Sequence, residues 1–235
     1  MVRVTGTSGA VMLGVVGARG GVGASTLAAL VAARGSRRSA TVLVDLDPAA
    51  GGLDVLVGLE ESGGARWPDL AQARGDIAGL DVVALLPRWG RVAVLSADRA
   101  RPGPVDPMVA ADVLRALVGV AGLVVADLGR AAVLGGDAPV AAFDRVALLA
   151  ARDLRSVAGA LALREALLRD AGDVGLVVRG PAPGGLGAAE LAEAVDLPVL
   201  WSGRADRTLV RAAEQGVVGG RGPAGRAAAA VLGWT

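Results

Sequence analysis

Gly17-Ala18-Arg19-Gly20-Gly21-Val22-Gly23-Ala24-Ser25-Thr26 stands between the apolar run Val11 to Val16 and an Ala/Leu-rich stretch of helical period, Ser25 to Arg34. A glycine-rich turn that opens directly into a helix is an anion-binding arrangement. Glycines let consecutive backbone N–H groups converge on phosphate oxygens, and the helix N-terminus adds partial positive charge. The glycines do not fall as Gly-x-Gly-x-x-Gly in register with the helix, so a phosphate loop is expected here and not a dinucleotide turn.

Outward from the loop, short β-branched runs alternate with helical Ala/Leu/Arg stretches, the pattern of repeated βαβ units and a mostly parallel sheet. Strands are expected at Val11 to Val16, Thr41 to Val44, Val82 to Leu85, Val92 to Leu95, Leu123 to Ala126, Val146 to Ala150, Val174 to Val178 and Val199 to Leu200. Most are apolar on both faces, as central strands covered on either side must be. Helices are expected at Ser25 to Arg34, Pro107 to Val118, Leu154 to Asp170, Ala188 to Val195, Arg207 to Gln215 and Ala224 to Leu232. The Gly/Pro-rich pieces Ala100 to Pro107 and Gly180 to Gly187 read as loops on the sheet rim. Residues 1–10 are expected to form a tail and residues 11–235 a single α/β domain.

Composition narrows the chemistry. Of the 235 residues 53% are hydrophobic and only 2% aromatic, so the core is expected to consist of many small aliphatic contacts. Cysteine and histidine are absent, which excludes disulfides, thiolate metal sites and histidine catalysis and leaves oxygen donors suited to Mg²⁺. Lysine and asparagine are absent too, so all 24 cations are arginine; with 23 acidic residues the net charge is +1. That balance gives no argument for a nucleic-acid partner. No apolar stretch reaches membrane-spanning length and the N-terminus has no signal-peptide pattern, so a cytoplasmic location is expected.

The second strand ends in Asp45-Leu46-Asp47-Pro48, followed by Gly51-Gly52-Leu53-Asp54 and on to Leu59-Glu60. Asp45 and Asp47 project on the same side of an extended chain. Leu123-Val124-Val125-Ala126-Asp127-Leu128-Gly129 is an apolar strand ending in aspartate, the Walker B arrangement. In this order the three motifs resemble the MinD/ParA superfamily, whose deviant Walker A pattern is Lys-Gly-Gly-x-Gly-Lys-[Ser/Thr]-Thr. The resemblance runs from Val11 to Gly216 and implies a P-loop NTPase-like three-layer sandwich, with a mostly parallel sheet between helices.

The resemblance also implies roles. Gly20, Gly21, Val22, Gly23, Ala24, Ser25 and Thr26 would bind nucleotide, with ATP and Mg²⁺ as the cofactors. Ser25, Asp45 and Asp127 would surround Mg²⁺, Asp45 near the attacking water, and Asp47 would lead into a switch segment. Arg19 aligns with the signature lysine, which in working members reaches the partner's phosphates across a nucleotide-bridged dimer. Ala24 aligns with the P-loop lysine, a loss of about 1.5 to 3 kcal/mol of charge-assisted phosphate contact. Hydrolysis is therefore expected to be slow or absent, since that lysine belongs to the electrostatic clamp of phosphoryl transfer. Arg179 stands where several members carry an adenine-reading asparagine.

The Arg-Gly-Gly-x-Gly-Ala-Ser-Thr form and the Asp127-Leu128-Gly129-Arg130 end of the Walker B strand look most like the CpaE/TadZ branch, including actinobacterial septum-site-determining and secretion-neighbourhood proteins. That branch implies a homodimer that localises Flp/Tad pilus or secretion machinery, or influences septum placement, through a protein partner. Membrane association would be at most peripheral, at the inner face, pole or septum. The alternative is an ATP-driven dimerisation switch in which arginines replace the lysines.

Overall fold

The computed structural model describes residues 10–47, 51–206, 208–209 and 220–235. Among the described residues eight strands form one sheet: β1 (Val11–Gly17), β2 (Thr41–Leu46), β3 (Arg88–Trp89), β4 (Val92–Leu95), β5 (Leu123–Leu128), β6 (Arg145–Ala151), β7 (Asp173–Arg179) and β8 (Val199–Gly203). Their order is β3-β4-β2-β5-β1-β6-β7-β8. Every pairing is parallel except the β3–β4 edge.

The side-chain period of two sorts each central strand between two cores. Leu13, Leu43 and Val125 pack on one face beneath α1 (Ala24–Gly35), α2 (Leu53–Leu56) and a C-terminal helix, Gly222–Trp234. Met12, Val44 and Val124 face the opposite core. There α3 (Gly79–Leu85), α4 (Pro107–Val118), α5 (Arg130–Gly135), α6 (Leu154–Asp170) and α7 (Ala188–Val195) close the other side, and Gly222–Trp234 is α8. Two short 3₁₀ turns lie at Trp67–Leu70 and Val140–Ala142. The expected three-layer α/β sandwich is the observed architecture.

One expected strand is corrected. Val82 to Leu85 belongs to helix α3. A short apolar run reads equally as strand or helix, and tertiary packing decides. Here Gly79, Val82 and Leu86 are buried while Leu80 and Leu85 are exposed, a helical i, i+3, i+7 face and not an alternation. The two-residue edge strand β3 went unforeseen because it exists only by pairing with β4. The expected helix Arg207 to Gln215 lies outside the described residues apart from 208–209. Among the described residues no helix is long and apolar enough to cross a membrane.

Candidate functional site

The carboxyl ends of β2, β5 and β1, neighbours in the sheet, converge on the loop 17–26. β1 delivers the chain into the loop at Gly17 and α1 takes it out at Ala24. Gly23, the residue before α1, has φ 95°, a left-handed conformation that a side chain would strain. Gly159 on α6 braces the loop from below: a Cβ there would stand 1.8 Å from the Ala18 carbonyl oxygen. From the other side Arg179 Nη1 donates to the Val22 carbonyl at 2.6 Å. Burial, with the Arg19 charge added, lowers the Arg179 pKa.

Asp45 and Asp127 are register partners on β2 and β5. The strand period puts both on the α1 side of the sheet, the side of the loop. Asp127 is 2% exposed, and burial pushes its carboxyl up to about 7. A hydrogen bond with the Ser25 hydroxyl opposes the rise, while the Asp45 and Asp47 charges add to it. Asp45 is equally buried. Its Oδ1 accepts from Asp47 N at 3.0 Å, and its Oδ2 from Leu53 N at 3.0 Å and Ala97 N at 3.4 Å. Burial still prevails and raises its pKa to about 6. Asp45 thus ties the end of β2 to α2 and to the chain beyond β4.

Arg19 pairs with a carboxylate of its own chain while still lining the cavity at the loop. Its Nη2 lies 2.8 Å from Asp153 Oδ2, and its Nη1 donates to the Gly20 carbonyl at 3.0 Å. The guanidinium holds the Asp153 carboxyl down to about 2. Asp153 also caps α6 by accepting from Ser156 N at 2.8 Å.

These elements enclose an open cavity of about 930 Å³, lined by residues 19–26, Asp45, Asp47, Asp127 and Arg130 among others. A second, mainly apolar cavity of about 280 Å³ shares Gly21 to Gly23 and Thr26 with it and continues past Leu27, Val177, Arg179 and Trp201. The Ser25 hydroxyl and Asp127 carboxylate make an oxygen-only donor pair, which fits a hard divalent cation. No group of three or more acidic side chains that could hold a metal occurs among the described residues. Phosphate oxygens and water would have to complete a Mg²⁺ shell, as is usual for that ion.

No protein-family model matches the chain. Two curated relatives, the uncharacterized proteins Rv3660c and MT3760 of Mycobacterium tuberculosis strains H37Rv and CDC 1551, are each 41% identical over 218 residues, 91% of this chain. The chain spans 60% of the length of those relatives. Among solved structures, a ParA family ATPase from Chlorobium tepidum aligns over 97% of this chain and 98% of that one, with TM-score 0.77 at 16% identity. MinD in the MinC:MinD cell division complex of Aquifex aeolicus and MinD of Pyrococcus horikoshii with Mg-ADP give 0.77 and 0.76, each at 17% identity over 95% of this chain and 94% of theirs. This chain has the MinD/ParA fold.

At such identities the likeness concerns the path of the chain, and the chemistry of this MinD/ParA-fold protein rests on its own side chains. The structure brings together at one cavity Arg19, Gly20 to Thr26, Asp45, Asp47 and Asp127, and sets Arg179 in the adjoining second cavity. Three contributors were missed. Asp153, the partner of Arg19, lies 134 residues away and carries no local signal. Arg179, whose position suggests the base, instead holds the loop carbonyl of Val22 with its side chain. Arg130 was visible in Asp127-Leu128-Gly129-Arg130, but nothing local says which way the chain turns after β5.

Proposed function

We propose that this protein is a MinD/ParA-type positioning protein of the CpaE/TadZ kind that binds ATP with Mg²⁺ and hydrolyses it weakly or not at all. In this reading the backbone N–H groups of residues 20–26 cradle the phosphates, and Ser25 and Asp127 hold the ion. The ion, when bound, neutralises phosphate charge. Asp45 supports the site through its three backbone contacts. The observation that carries the reading is the state of the two loop positions that would hold cations: position 24 ends in a methyl group, and Arg19 is ion-paired with Asp153 of its own chain. Binding can survive that loss better than phosphoryl transfer, because transfer needs preorganised positive charge at the developing charge of the transition state.

The Mg-ADP complex of Pyrococcus MinD supports nucleotide and Mg²⁺ as ligands of this fold, and the MinC:MinD complex supports partner docking as its output. The role is then that of a homodimer that recruits a pilus, secretion or division protein, in localising Flp/Tad pilus or secretion machinery or in septum-site determination. Calorimetric titration of Mg-ATP together with a phosphate-release assay tests the site. Saturable binding with release no faster than the buffer control is the expected pair of results. Sustained turnover that is abolished by D127A would replace this reading with that of an active ATPase.

A further inference from the structure

We propose that Arg130 supplies the phosphate-binding cation that position 24 lacks. The assignment rests on the nucleotide reading above. Two arginines among the described residues line the larger cavity, Arg19 and Arg130. Arg19 is engaged by Asp153. Arg130 is exposed, and no ion pair to it occurs among the described residues.

The backbone holds Arg130 at a defined place. Gly129 N donates to the Leu46 carbonyl at 3.1 Å, and a Cβ on Gly129 would lie 3.0 Å from that same oxygen and 3.1 Å from Asp47 Oδ1. The chain is therefore pinned against the end of β2 one residue before Arg130. Arg130 leaves this anchor three residues beyond Asp127, on the wall of the cavity that Ala24 also lines.

Charge in the cavity favours such a cation. Asp45, Asp47, Glu60 and Asp127 contribute to its walls, while the Arg19 charge is neutralised by Asp153. A polyphosphate entering a wall of that sign gains from a compensating positive group besides one divalent ion. Arginine suits the task because its planar fork pairs with two phosphate oxygens at once, where lysine offers a point charge. A cation mounted at the start of α5 and not on the loop binds phosphate without restoring the clamp geometry of a P-loop lysine. This reconciles retained binding with suppressed turnover.

The test is titration of the full chain with Mg-ATP and with AMP, on the wild type and on R130A, R130K and the double variant A24K/R130A, each checked by circular dichroism. R130A is expected to weaken Mg-ATP by roughly tenfold or more, R130K by less, and A24K/R130A is expected to regain most of the loss. AMP affinity should be the same in all four. If the wild type binds Mg-ATP and R130A binds it equally, Arg130 is not the cation and the nucleotide reading stands. If the wild type binds neither nucleotide at millimolar concentration, the nucleotide reading falls and the assignment falls with it.

Discussion

Asp127 shows what a single side chain can be made to do by its strand. An apolar run buried on both faces carries the carboxylate out of water at its end, and the penalty falls on the charged form. Between the ordinary value of 3.8 and about 7, folded Asp127 keeps a proton that the unfolded chain has released. Stability of the metal-free protein should therefore fall as pH rises through that window. Asp45, raised to about 6, acts in the same direction. Urea unfolding in EDTA is expected to give a higher midpoint at pH 5 than at pH 8, the Asp127 contribution over that interval being at most about 3 kcal/mol. D127N should flatten that slope. A wild-type midpoint that stays level or rises from pH 5 to pH 8 would contradict the account. Saturating Mg²⁺ and nucleotide should relieve the loss, since a bound cation favours the ionised carboxylate.

At the level of elements, the phosphate loop is held by what lies beneath it. α6 begins at the Asp153 cap, runs under the loop and meets the Ala18 carbonyl at Gly159. The 1.8 Å that a Cβ would have at that point leaves no room for a methyl group, so G159A must displace either the helix or the loop. The expected cost is about 1 to 3 kcal/mol, read as a lower melting temperature, with weaker nucleotide binding if the loop yields. An unchanged melting temperature would mean that the contact is slack. Helices with capping residues and clear periodicity were legible from their own residues; α4 and α6 have the expected bounds, Pro107–Val118 and Leu154–Asp170. α3 was not legible, because seven residues of mixed apolar character take their state from α4, against which Gly79 packs.

For the molecule as a whole, the cavity opens at the carboxyl edge of the sheet, where Gly20, Gly21 and Arg130 are exposed. A dimer formed across that face would cover bound nucleotide, and this is the assembly the proposed function requires. Sedimentation velocity is expected to show a monomer without nucleotide and a dimer with Mg-ATP, the dimer being lost when EDTA is added. An unchanged sedimentation coefficient under all three conditions would contradict a dimer that closes over bound nucleotide.

The sequence by itself determined the fold class, the place of the phosphate loop, the carboxylates that end β2 and β5, and the missing lysine. Each depends on spacing within one strand, one turn or one helix start, so it can be read from neighbours in the chain. Only the tertiary structure decided which side chains face the loop from elsewhere. Pairing in a parallel sheet joins segments that are distant in sequence, and no local pattern records the result. Asp153 reaches Arg19 because β6 lies beside β1, and Arg130 reaches the cavity because β5 lies on β1's other side. The loop's glycines were legible in the sequence; the fate of its charge was set by the order of the strands.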